Sequence, residues 1–137
     1  MLYAILCYNS EEVVGAWSRD EDERVMQRLI AVEDRLAAQG RLGPVARLLP
    51  TTAATTLRKT SGEPVVIDGP FAETKEQFLG FYVIDCDDLE GAVAVARDLA
   101  KANPGTGAYE IRPLMLLHGA ALGGMGGGPP SLNVGHA

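Results

Sequence analysis

The residues in this chain best suited to chemistry gather in one short run, Asp68-Gly69-Pro70-Phe71-Ala72-Glu73-Thr74-Lys75-Glu76. A carboxylate at the end of an extended segment, followed by Gly and Pro, would stand at the mouth of a pocket. Glu73 and Glu76 would lie near it, with Lys75 as counter-charge. Such a set suits general acid–base work on a small carbonyl compound, which makes Asp68 the candidate catalytic residue. The same residues also have sufficient backbone reasons to be there. An Asp before Gly accepts hydrogen bonds within a turn, Gly permits a positive φ, Pro fixes the next φ, and Phe71 would plug the core. Glu73, Lys75 and Glu76 would then be a solvated charged segment. Both readings stand at the level of sequence.

Other reactive side chains are scattered. Tyr3, Tyr8 and Tyr82 fall in apolar runs, where they would either line a cavity or serve as interface aromatics with hydroxyls reaching water. Arg112, between Ile111 and Pro113, would clamp an anionic ligand or pair with a neighbouring carboxylate. The expected ligand-binding set is therefore Asp68, Phe71, Glu73, Lys75, Tyr82 and Arg112. Cys7 and Cys86 lie far apart with no Cys-x-x-Cys spacing, so we read them as reduced, buried thiols. His118 and His136 lack a second ligand at metal-binding spacing. Gly123-Gly124-Met125-Gly126-Gly127-Gly128 shares only its composition with a phosphate loop, because it lacks a strand-loop-helix context with a following helix. We expect neither metal nor organic cofactor.

The elements that must position these groups follow from periodicity. Leu2 to Tyr8 is short, apolar on both faces and ends at Asn9-Ser10, which predicts a central strand. Ser18 stands three residues before Glu21, the capping-box spacing that opens a helix. Val25, Leu29, Val32 and Leu36 form its apolar stripe, flanked by Met26 and Ile30, and Gly40 supplies the stop. Arg41 to Pro50 predicts a strand at or near a sheet edge, because Pro44 has no amide proton to donate. Thr51 to Lys59 and Pro64 to Ile67, joined through Ser61-Gly62, predict a hairpin. Leu79 to Cys86 is a second central strand. Asp87, three before Glu90, should cap a helix that buries Leu89, Ala92, Val93, Ala96, Leu99 and Ala100. Ala108 to Leu117 closes as a strand, and residues 118–137 form a Gly/Pro-rich tail.

That order is a ferredoxin-like βαββαβ pattern of the α+β class with an inserted hairpin. Both helices would pack on one sheet face, leaving the apolar opposite face to be covered by a second copy, as in a dimeric α/β barrel. The chain has 137 residues, enough for one domain with its own core. It carries 12 Lys and Arg against 18 Asp and Glu, a net charge of −6. That sign disfavours nucleic acid and anionic lipid as partners. The opening MLYAILCYNSEE has no basic stretch and too short an apolar run for a signal peptide or membrane span, so we expect a cytoplasmic protein.

The run Asp68 to Gln77, followed by Leu79-Gly80-Phe81-Tyr82-Val83-Ile84-Asp85, resembles the signature of the DGPF branch of the YCII-related family. Ala54-Thr55-Thr56-Leu57-Arg58 and Glu110-Ile111-Arg112-Pro113 are similar to it too, so the likeness extends to about Leu117. The resemblance implies a ferredoxin-like fold and a homodimer. It also implies a possible extracytoplasmic-function sigma factor as partner, because members of the branch are often encoded beside one. In the wider family a His on the first helix and an Asp before the last strand form a candidate catalytic pair. Here the helix from Glu21 to Gln39 has no His, and Asn103-Pro104 stands where the Asp-Pro would be. Two roles remain open: a small-molecule-binding protein with a pocket between helices and sheet near Asp68, with or without cofactor-free catalysis, or a non-catalytic interaction module.

Overall fold

A computed structural model describes residues 1–119 of the chain. The tail residues His136 and Gly123–Gly128 lie outside the described residues. In chain order the elements are β1 (Leu2–Asn9), α1 (Glu11–Gly15), α2 (Arg19–Ala38), β2 (Leu42–Arg47), β3 (Thr55–Arg58), β4 (Val65–Asp68), β5 (Gln77–Asp85), α3 (Leu89–Ala102) and β6 (Ala108–Pro113). A 3-10 turn, Thr51–Ala53, precedes β3. Four strands form one antiparallel sheet in the order β2-β5-β1-β6, while β3 and β4 pair only with each other. This α+β arrangement is compatible with a ferredoxin-like fold. Among the described residues no helix is long and apolar enough to cross a membrane.

The two strands with bulk on both faces are the two central ones. Ile5 sits opposite Tyr82 on β5 and Ile111 on β6, and Tyr3 opposite Ile84, so alternate residues of β1 and β5 point into one core. Ile5, Ile84 and Leu99 are fully buried there. Each contributes about 1.5–3 kcal/mol through the apolar surface it removes from water. The pattern break at Pro44 places β2 on the edge, with a register irregularity between Leu42 and Val45.

Helix α2 begins where its capping pair stands. Ser18 Oγ accepts from the Glu21 amide at 3.1 Å and donates to Glu21 Oε1 at 3.3 Å. It buries Val25, Leu29, Val32 and Leu36, and Gly40 follows at φ +70°. Helix α3 departs from expectation by one residue. Its N-cap is Asp88, not Asp87, with Asp88 Oδ1 accepting from the Gly91 amide at 2.9 Å. The buried stripe rotates accordingly to Ala92, Val95, Ala96, Leu99 and Ala102, leaving Leu89 and Ala100 exposed. Arg28 Nε donates to Ala102 O at 2.7 Å and ties the end of α3 to α2. The last strand is shorter than expected. After Pro113 one further backbone bond forms, from Leu114 N to Leu2 O at 2.9 Å, and then Met115 and Leu116 are exposed.

Candidate functional site

Helix α1 has no buried residue of its own and is held by side chains. The Glu11 carboxylate accepts from the Thr51 amide at 2.7 Å and from Thr51 Oγ1 at 2.5 Å, while the Glu11 amide donates to Gln77 Oε1 at 2.8 Å. These bonds lash α1 to the 3-10 turn and to the start of β5. Val14 and Trp17 are thereby brought to the helix side of the sheet, facing Met26, Leu29 and Glu33 of α2. With Cys7 of β1, Tyr82 of β5, Tyr109 of β6 and Asn103 at the end of α3, they line a half-open cavity of about 110 Å³.

The lining is mostly apolar and aromatic, with few polar groups, as small-molecule sites usually are. Glu33 is the unusual member. It is 8% exposed as a residue; no protein donor bonds its carboxylate among the described residues, and its oxygens stay accessible, since no side-chain oxygen or nitrogen there is both shut off from solvent and unpartnered. It belongs to the buried stripe of α2 because it lies four residues after Leu29 and seven after Met26. Burial raises its pKa above the ordinary glutamate value, and the neighbouring Asp34 charge adds to the shift.

Burial favours the neutral form of the thiol and the two phenols of the lining. Burial pushes the Cys7 thiol up to about 12. Tyr82 is raised by burial first, then by Cys7, Glu33 and Tyr109, with Arg47 opposing. Burial and then Cys7 raise Tyr109, and Asn103 pulls the other way. Arg47 also reaches the lining, but its guanidinium donates to Asp22 Oδ1 at 2.9 Å. The site therefore offers two neutral phenols, a neutral thiol and one carboxyl in a half-open, mostly apolar setting. That set can orient a small molecule by hydrogen bonds and exchange a proton with it through Glu33.

Of the ligand-binding set expected from sequence, only Tyr82 lines this cavity. Asp68 ends β4 and is exposed on the hairpin. Its turn has the geometry expected of Asp-Gly: Gly69 takes φ +103°, its amide donates to Ala54 O at 2.8 Å, and its carbonyl accepts from Thr56 Oγ1 at 2.8 Å. Phe71 does not plug the core. It is 75% exposed, because the segment from Gly69 to Glu76 turns on its own local bonds and never crosses the sheet. Phe71, Glu73 and Glu76 border an open depression of about 700 Å³ with Tyr8 and Phe78, whose rings lie 5.5 Å apart. Neither Asp68 nor Lys75 reaches its lining. Arg112 is exposed on β6 opposite Ala4 and is not in the cavity lining. The pocket between helices and sheet and the Asp68 turn are thus two places, not one. His118 is exposed, and no cluster of His, Cys, Asp or Glu able to hold a metal exists among the described residues.

Sequence reasoning missed Glu33, Trp17, Met26 and Tyr109 as site residues. The signal for Glu33 was present as a carboxylate at a stripe position, in register with Met26 and Leu29 and three before Leu36. Asn103, noted only as a departure from the family's Asp, lines the cavity.

Comparison with known proteins agrees with the motif reading. The YCII-related domain matches residues 1–117. A relative described as an uncharacterised protein of Rhizobium meliloti (strain 1021) is 65% identical over 116 residues, covering 85% of this chain and 94% of its own length. The chain belongs to the YCII-related family.

Proposed function

We propose that this protein binds a small organic molecule in the cavity between α1, α2 and the sheet, acting in the cytoplasm as a homodimer. The observation that carries the reading is Glu33: a largely buried carboxyl group on the wall of a mostly apolar cavity, its oxygens accessible from solvent space and bonded by no protein donor among the described residues. Such a group costs stability unless something bound there satisfies it. Glu33 also gives the site its route to general acid–base catalysis without a cofactor. A thermal-shift screen against a metabolite library tests the binding, since a ligand of the folded state raises the melting temperature. A hit lost in Glu33→Gln but kept in Asp68→Asn supports the cavity. A hit lost only in Asp68→Asn returns the site to the turn and its set of Asp68, Phe71, Glu73, Lys75 and Arg112.

The dimeric α/β-barrel arrangement rests on the second face of the sheet. Leu6 and Phe81 face each other there, half-buried, and Leu57, Val65, Val66 and Ile67 are exposed on a hairpin that pairs with nothing else. A second copy related by a twofold axis would cover both surfaces. Light scattering should give a dimer, and removal of the chain beyond Leu117 should leave it intact. The exposed hairpin also favours a second reading, as an interaction module for a protein such as a sigma factor. A monomer in solution that captures its sigma factor in a pull-down would select that reading.

A further inference from the structure

The cavity has a sign as well as a size. The charged groups of the lining are Glu33 on α2 and Arg47 on β2; Asp34 adds a negative charge next to Glu33, and Arg47 is already held by Asp22 of α2. Three carboxylates against one guanidinium leave the balance negative, and Glu33 is the buried one among them. An anionic ligand would bring a further negative charge beside Glu33. A neutral ligand would satisfy its oxygens but leave its charge unpaired.

Size and lining narrow the class further. At about 110 Å³ the enclosure has room for three or four waters at about 30 Å³ each. It therefore takes a compact body of a few carbons. The aromatic rings of Trp17, Tyr82 and Tyr109 surround it. Rings of this kind attract a cation through their faces as well as packing against its carbons.

We infer that the ligand of this site is a small organic amine, bound as its ammonium with Glu33 as counter-ion and its carbon body among Trp17, Met26 and Leu29. The inference rests on the cavity being a binding site, and goes beyond it by fixing the ligand's charge. The ammonium donates to the Glu33 carboxylate, to which no protein donor bonds among the described residues.

The test uses the intact protein and three probes of nearly equal shape: 3-methylbutylamine hydrochloride, 3-methylbutanol and 3-methylbutanoate. Trp17 is the chain's single tryptophan, so its fluorescence reports the cavity and ignores amine condensed elsewhere on an acidic surface. At pH 7 and 0.15 M salt the amine should bind about tenfold tighter than the alcohol, as expected when an ion pair is added to the hydrogen bond that the alcohol also makes, and the carboxylate should bind weakest. In Glu33→Gln, which keeps the shape, the amine should lose its advantage over the alcohol, because the amine loses the ion pair whereas the alcohol loses only the charge assistance of one hydrogen bond. Alcohol or carboxylate binding as tightly as the amine, or an amine preference that survives in Glu33→Gln, overturns the ligand class while leaving the cavity a binding site. No change in Trp17 emission with any probe up to saturation of the solubility range overturns both.

Discussion

The helix–sheet cavity and the Asp68–Gln77 segment divide the chemistry of this chain in opposite ways. The segment concentrates charged residues in sequence, but it spreads them over an exposed loop whose bonds are local. The cavity draws on residues from six elements, from Cys7 to Tyr109, and concentrates them in space. In water a carboxylate beside a lysine is ordinary, whereas one carboxyl among apolar neighbours has an altered proton affinity and an unmet partner. Density of reactive types along the chain is thus a poorer guide to chemistry than their place on a buried stripe.

Paired substitutions sharpen the contrast, and glycines give the largest expected effect. A Cβ on Gly80, which lines the cavity, would lie 2.2 Å from Ala46 O on the adjacent strand, whereas one on Gly69 in the Asp68 turn would meet nothing within 4 Å. Gly80→Ala should therefore cost about 3 kcal/mol by forcing β2 and β5 apart. Gly69→Ala should cost about 1 kcal/mol, through its positive φ alone. Urea denaturation of the two variants measures the difference, and equal losses would show that the turn is as tightly constrained as the cavity wall. Ile84→Ala should cost about 3 kcal/mol in the same assay. Val66→Ala, on the exposed hairpin, should stay within about 0.5 kcal/mol unless a partner copy covers it.

Part of this was legible in the sequence. Ser18 and Glu21 announced α2, and the two-faced apolar runs of β1 and β5 announced the centre of the sheet, because local capping and period-two burial act through near neighbours. Helix α1 was not legible: five residues show no period, and the helix is held by Glu11, Thr51 and Gln77, which are remote in sequence. Asp87 and Asp88 are adjacent and equally able to cap, so only the backbone chose between them. Glu33 was passed over because a charge in a helix is usually a solvent-facing one. Phe71 was expected inside because of its type, yet the turn that carries it never meets the core.

Glu33 predicts a smaller effect with a definite pH dependence. Its folded-state pKa lies above its unfolded value, so between the two the folded protein binds the extra proton and stability falls as pH rises. Below the ordinary glutamate range the penalty is absent. Above the raised value it is complete. Glu33→Gln should thus gain stability relative to the parent as pH rises through the raised value, an advantage that disappears as pH falls below the ordinary glutamate range. Asp68→Asn, made at an exposed position, should change stability by less than about 0.5 kcal/mol. Thermal melts across pH check both.

The smallest effect concerns Cys7. With its thiol pushed up to about 12 by burial, it should resist iodoacetamide at pH 8 in the folded protein and react fully only on unfolding. Fast labelling of Cys7 in the native state would show that the cavity is open to solvent.

The central claim is that the small molecule sits between helices and sheet, away from the Asp68 turn. Its most direct test is a methyl and aromatic NMR spectrum of the protein with a ligand found by thermal shift. We expect the Met26 methyl and Trp17 indole signals to move on binding while the Phe71 and Tyr8 rings stay in place. Movement of Phe71 and Tyr8 with Met26 and Trp17 unchanged would contradict the account and place the site at the turn.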